Sequence, residues 1–291
     1  MITGAYTLPD RFISGTFDGM TFGREDSEAL FKVFRWDGWF GSPGVRANRN
    51  DRLWGHGSFS DRGWRDARLI IIEGNAHFDN EQAAMDGYNR LMAAGAEGTY
   101  HRLTVEDSLF GTLTAECRLA NEVVADWLMP GVLKFQIQLL APDPRKYGPA
   151  ITGATGVAVA GGGLQWDLFT SMPGLDFGAP GDPGTVSITN PGTADTGQRF
   201  TLTGSAPQGL TIKYLPTDAM LRYDAPVAPG ESLVLDSNSG TAQLNGYADR
   251  SIKLTRRDWV RLGRGQTGVW LLEAPNSNNL RMEVEVYPAW W

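Results

Sequence analysis

The residues that could carry out chemistry are few in this chain and widely separated. The three histidines, His56, His77 and His101, never stand two or four positions apart, so their local spacing forms no metal-binding pattern. The single cysteine, Cys117, lies in a strand-like segment, which predicts a buried side chain rather than a reactive thiolate. Neither a GxSxG nor a GxxxxGK[ST] motif occurs. We therefore predict no catalytic residues, no metal site and no cofactor.

Paired carboxylates offer another route to catalysis. Glu283 and Glu285 stand two positions apart, and Asp249 and Asp258 lie nearby in the sequence. A glycoside hydrolase needs two such acids in a cleft, one of them with a raised pKa. Two acids on the outward side of a strand more often form a solvated face. A hydrolase stays an alternative, but we predict that the chain is not an enzyme.

Tryptophan and arginine concentrate between residues 35 and 68, where glycine and asparagine fill much of the rest. These two residue types dominate protein–protein hot spots, because they bury large areas and donate directional hydrogen bonds from rigid groups. One interpretation is therefore an interface between subunits. An equally weighted one is an intramolecular stack that ties down a long loop, and polysaccharide or nucleic-acid binding is a minor third. The residues predicted at an interface are Trp36, Trp39, Arg46, Arg49, Arg52, Trp54, Trp64 and Arg65.

Composition and charge narrow the classes of partner. The 291 residues include 26 basic and 33 acidic side chains, a net charge of −7, and no basic run is longer than two residues. This balance predicts no sequence-specific contact with nucleic acid. The apolar stretches are far shorter than the ~20 residues that cross a bilayer, so we also predict no membrane association. The first residues lack the pattern of a signal peptide.

Alternating apolar and polar residues predict a mainly β fold. Over Val132–Ala141, Leu133, Phe135, Ile137 and Leu139 fall on one face, as in a half-buried antiparallel strand. The continuous apolar run over residues 69–72 predicts a strand that is covered on both faces and ends at Gly74.

One helix is predicted after this strand, capped by Asp79 or Asn80 and ended by Gly95. Gly87 in its middle costs about 1 kcal/mol relative to alanine, so the helix needs tertiary contacts. Its predicted apolar stripe consists of Ala84, Met85, Tyr88, Leu91 and Met92.

The spacing of turn signals predicts two domains. Residues 1–148 form an N-terminal domain, residues 149–163 a glycine-rich linker, and residues 164–291 a β-sandwich with turns such as Asn245-Gly246. Trp166, Trp259 and Trp270 could form a sugar-stacking platform in this sandwich, although core packing is the stronger expectation for them. A carbohydrate-binding module for attachment to a host surface is thus an alternative function.

Three stretches together resemble the phage distal tail protein family, the hub subunits of long non-contractile tails. Phe135–Leu140 runs into a turn over residues 141–148 that is similar to the family's "DPxxYG"-like turn. Thr185–Ala194 resembles the "V-x-I-x-N-x-G-x-A" strand and turn that open the family's second domain. The later strands of that domain resemble Leu233–Ser237, Ala242–Gly246 and Leu262–Gly265.

The resemblance implies a virion structural protein at the tail tip that is made in the host cytoplasm. Its first domain would be a tail-tube-like split β-barrel with one flanking α-helix, and its second a galectin-like or carbohydrate-module-like β-sandwich. Copies of the chain would form a hexameric ring around the DNA channel. This homo-hexamer would join the tail tube protein to the tail-tip or baseplate proteins.

Overall fold

A computed structural model describes residues 13–23, 30–47, 49–159, 161, 181–277 and 279–291. Internal contacts divide the chain into an N-terminal unit, residues 1–148 with Trp291, and a C-terminal unit, residues 149–290. Among the described residues, no helix combines the length and the apolar character that a membrane crossing requires. Residue Trp166 of the predicted sugar platform lies outside the described residues.

The described residues of the N-terminal unit form many strands and one α-helix. The helix is α1 (Glu81–Ala93). The strands are β1 (Ile13–Phe17), β2 (Met20–Phe22), β3 (Leu30–Asp37), β4 (Val45–Arg46), β5 (Arg49–Asp51), β6 (Ser58–Ser60), β7 (Trp64–Arg65), β8 (Arg68–His77), β9 (His101–Asp107), β10 (Gly111–Leu119), β11 (Val124–Met129), β12 (Val132–Ala141) and β13 (Lys146–Tyr147).

The main sheet of this unit curls back on itself. Its strands follow the order β11-β12-β8-β3-β2-β1-β9-β10-β13, and β12 pairs with β10 as well as with β8. That extra pairing, at Arg118–Leu140 and Leu119–Leu139, closes the sheet into a barrel. Strand β12 has the predicted bounds, and the four residues predicted to face inward are fully buried. The prediction of which side chains of β12 face inward is therefore confirmed.

Strand β8 corrects the prediction of a short strand covered on both faces. Leu69 is exposed while Ile70 and Ile72 are fully buried, so the strand alternates like its neighbours. It also continues through Gly74 to His77 instead of ending at the glycine. Gly74 serves packing here, because a Cβ atom would clash with the carbonyl oxygen of Lys32 and with the ring of Phe135.

Helix α1 begins and ends at the predicted residues. The Oδ1 atom of Asn80 accepts a hydrogen bond from the amide of Ala83 at 2.8 Å, and Gly95 adopts a φ of +64° after the last turn. Gly87 is buried against Phe78, whose ring would clash with a Cβ atom there. The glycine thus permits close approach of the helix to the barrel, which offsets its poor helix propensity. Met85 departs from the predicted apolar stripe, because it is exposed.

In the C-terminal unit, the residues that the structure describes form two sheets and one short 3₁₀-helix, Ser251–Lys253. Its strands are β14 (Ile151–Gly156), β15 (Thr185–Thr189), β16 (Gln198–Thr203), β17 (Leu210–Tyr214), β18 (Ala219–Tyr223), β19 (Ser232–Asp236), β20 (Thr241–Leu244), β21 (Ala248–Asp249), β22 (Leu254–Arg257), β23 (Thr267–Glu273), β24 (Arg281–Val286) and β25 (Ala289–Trp290).

All of these strands except β25 form a β-sandwich. One sheet has the order β14-β24-β16-β19-β20-β21 and the other the order β15-β23-β17-β18-β22. Both contribute buried side chains to a single core, which includes Phe200, Ile212, Leu235 and Trp270. Strand β14 pairs with β24 along its whole length, so residues 151–156 of the predicted linker are a strand of this sandwich.

Asn190, in the turn that resembles the distal tail family, joins two backbone segments through buried hydrogen bonds. Asn190 is fully buried, and its Nδ2 donates to the carbonyls of Ala194, Leu262 and Gly263 at 2.9 to 3.2 Å. Its Oδ1 accepts from the amide of Gly192 at 2.9 Å. One side chain therefore satisfies backbone groups from two segments that are distant in sequence.

Candidate intersubunit surface

The tryptophan- and arginine-rich segment folds into a β-hairpin. Strand β4 pairs with β7, and β5 pairs with β6 further along the same hairpin. The hairpin turns over residues 52–57, where the amide of Arg52 donates to the carbonyl of Gly57 at 3.2 Å. Gly55 and Gly57 have φ values of +101° and +94°, which glycine adopts without strain. We call residues 45–65 the arm.

Hydrogen bonds fix the base of the arm. Arg65 donates from Nη1 to Ser42 Oγ at 2.5 Å and to the carbonyl of Pro43 at 3.0 Å. The amide of Asp66 donates to the carbonyl of Gly44 at 2.9 Å. The guanidinium of Arg65 also lies 5.6 Å from the ring centre of Trp291. These contacts close the base of the arm, because they join its last residues to residues 42–44.

Arginine side chains stack on aromatic rings along the arm. The guanidinium of Arg52 lies 5.0 Å from the ring centre of Phe59, and that of Arg62 lies 4.7 Å from the ring centre of Trp64. Both aromatic side chains nevertheless stay largely exposed. The two interpretations of this segment are thus compatible, since stacking within the arm stiffens it and leaves aromatic surface in solvent.

The tip of the arm carries the most exposed apolar side chains of the described residues. Leu53 and Trp54 are each 93% exposed. A monomeric protein gains nothing from an indole held in water at the end of a hairpin. Trp54 is therefore the strongest candidate for a contact with another molecule.

The predicted interface residues do not all lie on the arm. Arg46, Arg52, Trp54, Trp64 and Arg65 do, and so does the backbone of Arg49 in β5. Trp36 and Trp39 belong to the barrel instead. The half-buried Trp36 packs its indole over Gly15, where a Cβ atom would clash with the ring.

Trp39 corrects the prediction, because its side chain is 1% exposed and cannot reach a partner. Its indole is part of the barrel core, and its carbonyl oxygen accepts a hydrogen bond from Lys146 Nζ at 3.0 Å. The same ammonium group lies 5.5 Å from the centre of the indole ring. Trp39 therefore packs within its own chain, as the alternative interpretation of this segment predicts.

Sequence reasoning missed a pair of buried cations behind Trp39. Arg68 is 1% exposed, and its guanidinium donates to the carbonyls of Gly38, Gly41 and Pro144 at 2.5 to 2.9 Å. A signal was present, since Arg68 stands at the same parity as the inward-facing Ile70 and Ile72. Burial lowers the pKa of Arg68 below its ordinary value.

The second buried cation, Lys146, makes stability depend on pH. Burial, with a smaller contribution from the charge of Arg68, lowers the pKa of Lys146 from 10.5 to about 8. Between these two pH values the unfolded chain binds the proton and the folded chain does not, so the free energy of unfolding rises with pH across this window. Below pH 8 both states are protonated, and the folded state bears the full cost of the buried charge.

We expect this effect to amount to about 3 kcal/mol between pH 7 and pH 10.5. The measurement is urea unfolding of the wild-type chain and of Lys146→Met at both pH values. Other groups titrate equally in the two proteins, so the difference between them isolates Lys146. The wild type should gain stability relative to the variant as the pH rises. If the stabilities of the two proteins changed in parallel with pH, the pKa of Lys146 would not be lowered in the folded chain.

The other candidates for chemistry take structural positions. Cys117 is fully buried, which confirms the predicted buried side chain, and burial raises the pKa of its thiol to about 12. His101 places Nδ1 3.2 Å from an Asp18 carboxylate oxygen. Among the described residues, no group of three or more metal-binding side chains comes together.

Two of the carboxylates considered for hydrolysis, Asp249 and Asp258, have pKa values shifted away from what a general acid needs. Hydrogen bonds from Ser251 lower the pKa of Asp249, and hydrogen bonds from the Met220 amide and from Arg256 lower the pKa of Asp258. A general acid needs the opposite shift. Trp270 follows the core-packing expectation and not the sugar-platform alternative, because it is 1% exposed and its ring centre lies 5.8 Å from those of Phe200 and Tyr214.

Comparison with known proteins shows what the fold is similar to. No protein-family model matches the sequence, and a search of curated proteins finds no match. Among solved structures, the chain is similar to the Dit (gp 19.1) protein of phage SPP1, with a TM-score of 0.66 and 14% identity over 94% of this chain and 98% of that chain. That protein is described as a paradigm of the hub adsorption apparatus in phages that infect Gram-positive bacteria.

A second similar structure is the phage P2 baseplate in its activated conformation with Ca. One of its chains matches with a TM-score of 0.50 and 11% identity, over 94% of this chain and 97% of that chain. At these identities the likeness concerns the fold. It confirms the mainly β fold class, with one helix in the described residues, that the resemblance to distal tail proteins implies.

Proposed function

We propose that this chain is a structural subunit of a phage tail tip, a hub protein without catalytic activity. The observation that supports this most strongly is the match to the SPP1 Dit protein over nearly the full length of both chains. A match of this extent includes both units in the same chain order, which a shared sandwich or barrel alone would not produce. The motifs at residues 141–148 and 185–194 support the same conclusion from the sequence.

We further propose that copies of the chain assemble side by side into a hexameric ring around the DNA channel. In this arrangement the ring joins the tail tube protein to the tail-tip proteins, in a virion whose proteins are made in the host cytoplasm. Closed rings use heterologous interfaces, in which one patch of a subunit contacts a different patch of its neighbour. The arm supports this proposal, because it presents exposed tryptophan and arginine side chains on a fixed base.

Replacing Trp54 by alanine tests the role of the arm. We expect subunit association to weaken roughly 30-fold or more, because truncation of a central interface tryptophan costs about 2 kcal/mol or more. The measurement is the concentration dependence of the oligomer mass by sedimentation velocity. Tyr247→Ala is the matched control, since Tyr247 is 83% exposed on the C-terminal unit. If Trp54→Ala associated as strongly as Tyr247→Ala, the arm would not be part of the interface.

A further inference from the structure

A groove on the N-terminal unit has dimensions that fit a large apolar side chain. It lies beside the start of α1 and has a volume of about 550 Å³, which is within the range of about 300–1,000 Å³ that is typical of ligand sites. We call it the α1 groove. It is lined by Phe78, Asp79, Glu81, Ala84, Met85 and Trp127, among others.

The walls of the α1 groove are apolar and held in place by packing. Trp127 lies between Phe78, at 6.2 Å between ring centres, and Tyr88, on which it stacks at 6.4 Å. Trp127 is still half exposed, and so is Met85 on the facing turn of α1. Preformed apolar walls of this kind bind a partner side chain without first ordering their own.

The charges around the groove are opposite to those on the arm. Asp79 and Glu81 are exposed at its rim, and Asp86 follows on the next turn of α1. The arm contains five arginines and two aspartates, so its net charge is positive. Opposite charge steers the two surfaces together and fixes their orientation.

From these observations we infer that the tip of the arm, Leu53 and Trp54, inserts into the α1 groove of a second copy of the chain. The tip is convex and apolar, the groove is concave and apolar, and each stands beside charges that complement the other. Each subunit then offers one tip and one groove, which is the heterologous geometry that links copies in one direction around a ring.

This inference rests on the proposed self-assembly and specifies which surfaces meet. Charge favours a second copy as the occupant, because the acidic rim matches a basic hairpin that the chain itself supplies. The contact also places the exposed side of strand β11 next to the neighbouring subunit. Val124, Leu128 and Met129 are exposed on that strand, and an edge strand with apolar side chains is usually covered in an assembly.

Disulfide trapping tests the contact directly. We introduce Leu53→Cys together with Met85→Cys, which keeps Trp54 in place, and oxidise the assembled protein before denaturing gel electrophoresis without reductant. Both positions are exposed, so neither change disturbs the core. The native Cys117 is fully buried and stays out of the reaction. The matched control joins Met85→Cys with Leu109→Cys, an exposed position in another turn of the same unit.

The expected result is a ladder of covalently linked subunits longer than a dimer for the Leu53–Met85 pair, and none for either single variant or for the control pair. If the wild-type chain forms oligomers but this pair links no better than the control, the inference is wrong while the proposed self-assembly stands. If the wild-type chain stays monomeric under all conditions, both are wrong. A link within one chain, seen as a faster-migrating monomer, would also overturn the inference.

Discussion

Replacing Trp39 by alanine is expected to lower the free energy of unfolding of the N-terminal unit by about 3–5 kcal/mol. The indole is 1% exposed, so its removal leaves a cavity that the surrounding barrel fills only in part. The variant also loses the aromatic face beside the Lys146 ammonium group, which lies 5.5 Å from the ring centre. The loss should therefore be at the upper end for a core substitution.

Calorimetry separates this effect from any effect on assembly. The first unit should unfold at a lower temperature in Trp39→Ala, while the C-terminal unit keeps its own transition. Trp54→Ala is the matched control, because a 93% exposed indole should contribute within about 0.5 kcal/mol to the stability of a subunit. A Trp39→Ala variant that unfolds like the wild type would contradict the burial of this side chain.

Replacing Arg68 by methionine should destabilise the same unit by a similar amount, about 3–5 kcal/mol. The substitution keeps most of the apolar volume and removes the donors to the carbonyls of Gly38, Gly41 and Pro144. These acceptors are partly buried, and leaving one without a partner costs up to the about 1–3 kcal/mol of a fully buried group. The opposing term is the desolvation of the guanidinium, which methionine relieves.

The number of hydrogen bonds that Arg68 makes decides whether their loss outweighs the relief of desolvation. A cation with several charge-assisted hydrogen bonds gains about 1.5–3 kcal/mol from each, so the loss of all of them should exceed the relief of desolvation. Arg68→Lys retains the charge with fewer donors and should be intermediate in chemical denaturation. If Arg68→Met were as stable as the wild type, the hydrogen bonds of the guanidinium would contribute no net stability to the barrel.

Elements governed by local pattern were predictable from the sequence. Strand β12 and helix α1 each show one period over many residues, and the helix has a capping asparagine and a terminal glycine at the expected positions. Periodicity and capping act within a few residues, so the sequence alone contains the necessary information.

Features that depend on distant contacts were not predictable in the same way. The run over residues 69–72 is uniformly apolar, yet Leu69 is exposed, because the partner strands and not the run itself decide which faces are covered. Gly87 is unfavourable by helix propensity, and only the approach of Phe78 explains it. Gly74 is explained in the same way by Lys32 and Phe135.

The candidate surface was predicted in composition but not in geometry. The enrichment of tryptophan and arginine located the arm, whereas it could not separate Trp39, in the core, from Trp54, at the tip. These residues belong to the same cluster in sequence, but a strand end and a hairpin turn place them in opposite environments. The α1 groove had no sequence signal, because its walls come from a helix and from a strand that begins about forty residues later.

The proposed ring is tested most directly by the mass and shape of the purified wild-type chain in solution. A hexameric ring gives a discrete species of about six times the 31.8 kDa of one chain, seen as an annular particle in negatively stained images. A species of 31.8 kDa at the highest soluble concentration would contradict the proposed ring. So would a chain that is present as a single copy inside the assembled particle.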